Sequence, residues 1–74
     1  MLVERRRSIA SQATTILAER IRSQTYAPGS RLPSESELAV ELGVSRATVR
    51  SALARLAAEG MVLRKQGDGT YVNA

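Results

Sequence analysis

The sequence predicts a mainly α fold of three helices closed by a small β-hairpin. Three observations carry that expectation. Apolar residues recur at helical spacing in three separate stretches, hydroxyl residues stand where two of those stretches begin, and the last fourteen residues hold two strand-like runs around a glycine-rich tip. At 74 residues the chain accommodates one domain, residues 1–74, around one small core.

The first helix is expected from about Ser8 to Ser23, because Ile9, Ala13, Ile16, Leu17 and Ile21 recur at helical spacing, with Glu19, Arg20 and Arg22 outward. Residues Val3 to Arg7 extend it or fray. Tyr26-Ala27-Pro28-Gly29-Ser30 breaks it, since proline lacks a donor and glycine permits turn dihedrals. Arg31-Leu32 then forms a short extended segment before Pro33.

Ser34, with Glu37 three residues later, has the capping-box pattern in which a hydroxyl and a carboxylate satisfy free amides at a helix start. Leu38, Ala39 and Leu42 give this second helix its inner face. Gly43 suits the left-handed position after its end. Ser45 caps a third helix, about residues 45–59, whose Val49, Ala52, Leu53 and Leu56 share one stripe. That stripe leaves Arg46, Ala47, Arg50, Ser51 and Ala54 on the flank and outer face, and Gly60 ends the helix. Met61-Val62-Leu63-Arg64 and Thr70-Tyr71-Val72-Asn73 form a hairpin over about 61–73, with Lys65-Gln66-Gly67-Asp68-Gly69 between them.

Composition narrows the function. With neither cysteine nor histidine, disulfide scaffolding, thiolate chemistry, zinc fingers and imidazole catalysis are all excluded. No apolar run approaches the ~20 residues that span a bilayer, and Arg5-Arg6-Arg7 is not followed by the apolar stretch of a secretory signal, so a cytoplasmic protein with no membrane partner is expected. Lysine and arginine total 11 against seven acids, for a net charge of +4. From Arg46 onward the balance is +3, so positive charge collects on the third helix and the hairpin, as a polyanion-facing end requires. A solvated basic face without a partner accounts for the charge equally well.

Two helices joined by a tight turn and followed by a hairpin make a winged helix-turn-helix. Its third helix, about 10 Å across with side chains, matches a DNA major groove about 12 Å wide. Arg46 and Arg50, four apart, project from one side of its leading turns and are the candidates for guanine readout, since a guanidinium donates two bonds to O6 and N7. Ala47 and Thr48 either touch a thymine methyl or phosphate or serve packing alone. Ser45 has two roles open, helix cap and phosphate ligand through its amide, and Ser34 is mainly a cap beside which phosphate is often bound. Arg31 is a phosphate contact or a solvated charge, and Arg55 an ordinary surface arginine. Lys65 and Gln66 flank Gly67 at the hairpin tip, where glycine lets the backbone approach phosphates or a minor groove.

Catalysis finds little support. Glu35 and Glu37 are two apart on a helix and point to different faces, and Gly67-Asp68-Gly69 lacks the lysine and following helix of a phosphate-binding loop. A protein-interaction module is the stronger rival, because fold alone does not set function; paired arginines on the third helix discriminate against it. Two tyrosines are too few for a single-strand stacking surface.

Leu32-Pro33-Ser34-Glu35, Glu37-Leu38-Ala39, Leu42-Gly43-Val44-Ser45-Arg46, Thr48-Val49-Arg50, Ala52-Leu53, Leu56, Glu59-Gly60 and Gly67-Asp68-Gly69-Thr70-Tyr71-Val72 together resemble the DNA-binding domain of GntR-family bacterial transcription regulators. The resemblance covers nearly the whole chain. It implies a homodimer on an inverted-repeat, double-stranded DNA operator, with the third helix in the major groove and the wing tip at the minor groove. By the same likeness Arg46 and Arg50 are base-reading arginines, Thr48 and Ser34 phosphate contacts, and Gly67 the minor-groove contact. Many relatives carry arginine where this chain has Ser36, so a contact supplied there is shorter or absent. Family members usually continue into a larger C-terminal domain that binds a small-molecule effector and dimerises; the 74 residues include no such domain and imply no cofactor. The Thr-Val-Arg and Gly-Asp-Gly-Thr-Tyr-Val forms look more like the HutC-like branch than the FadR-like branch.

Overall fold

A computed structural model describes residues 8–74, so the expectations for Val3 to Arg7 and for Arg5-Arg6-Arg7 lie outside the described residues. Helix α1 spans Ile9–Arg22, α2 Glu35–Leu42 and α3 Arg46–Ala58, followed by strands β1 (Val62–Lys65) and β2 (Gly69–Val72). The three helices and antiparallel hairpin are those expected. The strands pair Val62 with Val72 and Lys65 with Gly69, one residue closer to the tip than the sequence suggested.

Helix α3 is the hub, packing against α1, α2 and β1. Its stripe of Val49, Ala52, Leu53 and Leu56 is at most 1% exposed. Leu17 of α1, Leu38 of α2 and Val62 of β1 close around it, each also at most 1% exposed. Burying side chains of this size contributes about 1.5–3 kcal/mol each, which is what holds so short a chain in one arrangement.

On α1 the inward face departs from expectation. Ala13, Leu17 and Ala18 are buried, whereas Ile9 and Ile16 are exposed. At about 100° per residue, the buried side runs from Ala13 through Leu17 and Ile21 to Ala18, whereas Ile9 and Ile16 fall roughly 80° and 100° from Leu17 on the side opposite Ala18, beyond the stripe that α3 covers. Arg20 is not a free outward charge either. Its Nη1 donates to the Tyr26 hydroxyl at 2.6 Å and to Glu41 Oε1 at 3.0 Å, tying the turn after α1 to α2. The Tyr26 bond, then Glu41, hold the Arg20 pKa above its ordinary value.

The stop of α1 lies earlier than the Pro-Gly cluster. Gln24 adopts a left-handed φ of 62°, the Gln24 amide donates to the Ile21 carbonyl and the Thr25 amide to the Arg20 carbonyl at 2.8 Å. That pair of bonds is a Schellman motif built on a residue with a Cβ. Helix α2 ends in the same way at Gly43, with φ 69° and the Val44 amide donating to the Ala39 carbonyl. Glycine suits that position because no Cβ meets the following carbonyl.

Residues 30–32 extend the hairpin into a narrow third edge. The Val72 amide donates to the Ser30 carbonyl and the Leu32 amide to the Thr70 carbonyl, both at 2.8 Å. Arg31 forms a bridge with Tyr71. The chain just before α2 is thereby stitched to the wing, and this sets the wing against the end of the molecule where α2 and α3 both begin.

Candidate nucleic-acid interface

The starts of α2 and α3 are built by serine caps. Ser34 Oγ accepts from the Glu37 amide at 3.1 Å while Glu37 Oε1 accepts from the Ser34 amide at 2.9 Å, completing the capping box. Ser45 Oγ accepts from the Thr48 amide at 3.0 Å and donates to Thr48 Oγ1 at 2.9 Å. Each serine hydroxyl therefore has a structural bond. The first amides of α3 lie just beyond Ser45, where a helix start favours anions.

Arg46 and Ala47 open α3 and Arg50 follows one turn later, all exposed. Thr48 is half-buried, so packing claims part of it. The two arginines differ. Arg46 makes no ion pair among the described residues, whereas Arg50 donates through Nε and Nη2 to Glu35 Oε1 at 3.3 and 3.2 Å. Arg64 Nη2 of β1 donates to the other oxygen, Glu35 Oε2, at 3.1 Å. The sequence marks neither Glu35 nor Arg64 as an interface residue. Their partners lie 15 and 29 residues apart, and no local pattern announces such a meeting.

The wing carries the remaining candidates. Its tip is a tight turn in which the Asp68 amide donates to the Lys65 carbonyl at 2.9 Å and Gly67 takes φ 77°. Positive φ at the third position of such a turn is open to glycine at little cost. Gln66 and Gly67 are exposed at the apex. Lys65 Nζ sits 4.6 Å from the centre of the Tyr71 ring, and the Tyr71 hydroxyl donates to Asp68 Oδ1 at 3.0 Å. Arg31, expected as a phosphate contact or a solvated charge, is neither alone: its Nη2 donates to the Asp68 carbonyl and its guanidinium lies against Gly69.

These parts converge. A groove of about 270 Å³ brings Ser34, Arg46, Arg31 and Asp68 together between the helix starts and the wing. A second of about 230 Å³, lined by Glu35, Arg64, Lys65 and Gly67, continues it toward the tip. Glu35 and Gly69 line both, so the arginine end of α3 and the wing tip face one continuous surface. Exposed guanidinium groups, free amides and a close-approach glycine on one surface suit a polyanion with readable edges. Among the described residues no group of acids, histidines or cysteines is arranged to hold a metal, and no helix is long and apolar enough to cross a membrane.

Comparison with known proteins decides the lineage. The sequence model of "Bacterial regulatory proteins, gntR family" matches residues 9–72. The chain belongs to the gntR family. This gntR-family chain is 41% identical over 63 residues to an uncharacterized HTH-type transcriptional regulator of Bacillus subtilis, YurK, covering 85% of the chain and 26% of that protein. It is 45% identical over 56 residues to the histidine utilization repressor of Klebsiella aerogenes, covering 76% of the chain and 23% of the repressor. The chain thus spans about a quarter of the length of these curated relatives. Among solved structures it resembles the AraR DNA-binding domain in complex with operator ORE1, with a TM-score of 0.88 and 30% identity over 97% of the chain and 88% of the other. A GntR-family transcriptional regulator from Listeria monocytogenes superposes with a TM-score of 0.86 at 28% identity, covering 96% of the chain and 62% of that one. The architecture is that of the family's winged-helix DNA-binding domains.

Proposed function

We propose that this chain is the operator-reading domain of a bacterial transcription regulator and binds double-stranded DNA sequence-specifically. Helix α3 enters the major groove and the hairpin follows the backbone to the minor groove. Arg46 and Arg50 read base edges with Ala47 beside them, while Ser34, Ser45, Thr48 and Lys65 serve phosphates and Gln66 and Gly67 the minor groove. The observation that carries this reading is the outward pair of arginines at the leading end of a helix whose opposite stripe is fully buried. The solved AraR domains with operator DNA support it from outside the chain.

The same reading makes the regulator a cytoplasmic homodimer on a palindromic operator. A small-molecule effector acts through a separate C-terminal domain, and the reading domain needs no cofactor and performs no catalysis. The relatives, of which the aligned segment is only 26% and 23%, leave room for such a domain. Repressors of histidine utilization among them favour a HutC-like affiliation and repression as the mode of action.

Selection of bound sites from a pool of random duplexes tests the proposal. A palindromic consensus whose two half-sites bind more tightly than one is the expected result. Recovery of no consensus, or equal affinity for one and two half-sites, overturns it.

A further inference from the structure

We propose that Glu35 is a specificity-determining residue of the interface, acting through Arg50 and Arg64 instead of touching DNA itself; the inference rests on the DNA-reading function above. One carboxylate bridges three elements: the first turn of α2, the second turn of α3 and strand β1. Oε1 takes Arg50 and Oε2 takes Arg64, so each oxygen serves one guanidinium. Capping does not require Glu35, because Glu37 already completes the capping box of α2. Nor does stability explain it. The Arg50 and Glu35 side chains are 60% and 29% exposed, and ion pairs this open to water contribute little to folding.

What the bridge does contribute is direction. Arg50 spends its Nε–H and one Nη2 hydrogen on Glu35, which fixes the plane of the guanidinium against α2. Both Nη1 hydrogens and the second Nη2 hydrogen are left, and one from each nitrogen forms the end-on edge that pairs with O6 and N7 of guanine. A guanine in register is therefore met without breaking the bridge. A phosphate lying to one side is met only if Arg50 swings away from Glu35. Arg64 is held by the same carboxylate, so the three groups present a net +1 charge where two free arginines would present +2. Glu35 thereby lowers attraction to DNA of any sequence while leaving the reading edge of Arg50 oriented.

The test compares the 74-residue chain with E35Q and with E41Q, which removes the same charge from the carboxylate paired with Arg20. The probes are the duplex selected by the wild-type chain from a random pool and a shuffled duplex of equal length and composition. For E35Q the ratio of selected to shuffled affinity is expected to fall about tenfold. The salt dependence on the shuffled duplex should steepen by about one in the slope of log K against log salt. E41Q should keep the wild-type ratio. In the wild-type chain the Arg50 Nε–H resonance should persist on the selected duplex, a readout that does not depend on any variant folding. A wild-type preference that E35Q retains, an equal fall in E41Q, or loss of that resonance on the selected duplex overturns the role of Glu35 alone. A wild-type chain with no preference overturns the DNA-reading function, and this inference with it.

Discussion

Arg31 and Asp68 join the segment before α2 to the tip of the wing, the guanidinium Nη2 donating to the Asp68 main-chain oxygen across 37 residues of sequence. Together with the Leu32 amide on the Thr70 carbonyl, this contact makes the hairpin a braced arm and not a two-stranded flap. An isolated two-stranded hairpin is marginal in water, so the brace matters to where the tip sits.

Replacing Arg31 with methionine keeps an apolar stem and removes the donor. The order parameters of Gln66 and Gly67 should then fall toward the flexible range, below about 0.6, while those of α3 stay unchanged. Gly69→Ala should reproduce the effect from the other side, because a Cβ there would stand 2.5 Å from Arg31 Nε. Relaxation measurements on the backbone amides check both, and a tip that stays ordered in each variant would show that the brace is dispensable.

Tyr71 reports on the same corner. Its hydroxyl donates to Asp68 Oδ1, and that bond is the largest reason its pKa is raised above the ordinary 10.0. A group whose folded pKa is raised adds stability that is present below its unfolded value and disappears as pH rises through the folded one. Phenol absorbance in a Tyr26→Phe background should show Tyr71 ionising above 10.0, and Asp68→Asn should bring it down. No movement on substitution would remove the bond from the account.

Gln24 holds a left-handed conformation at the end of α1, where a Cβ costs roughly 1 kcal/mol. Gln24→Gly relieves that cost and adds unfolded-state freedom that offsets part of it, for a net gain of about 0.5 kcal/mol. Thermal melting should move up by about 2–4 °C, as expected for a domain of this size. A lower melting temperature would mean that the Gln24 side chain stabilises the turn.

The two serine caps should separate stability from binding. Ser34→Ala and Ser45→Ala each remove a bond to a helix-start amide and should each cost about 1 kcal/mol in denaturant unfolding. Both serines are proposed to serve phosphates, so each loss should also weaken DNA binding at temperatures where the variants are folded. Wild-type affinity in either variant would leave that serine as a cap only.

Local chemistry announced most of the architecture. The Ser34–Glu37 box, the left-handed Gly43, the Ser45 cap and the Val49–Leu56 stripe are short-range features, so each is readable within a few residues and each is present in the structure. The outward positions of Arg46, Ala47 and Arg50 follow from the same periodicity. Helix α1 stops where its periodicity places it, near Ser23, but through a left-handed Gln24 that no local pattern announces and not through the Pro28-Gly29 cluster, and Ile9 and Ile16 stay exposed because periodicity gives a face without its width.

The sequence by itself determined which segments coil, where they start and which way the arginines of α3 point, because 3.6-residue spacing and capping act over one or two turns. Only the tertiary structure decided that Glu35 collects Arg50 and Arg64, that Arg31 grips the wing instead of standing free, and that helix starts and wing tip share one surface. Those outcomes depend on how α2, α3 and the hairpin pack around Leu38, Leu53 and Val62. Packing sets distances between residues far apart in sequence, and no local pattern encodes them.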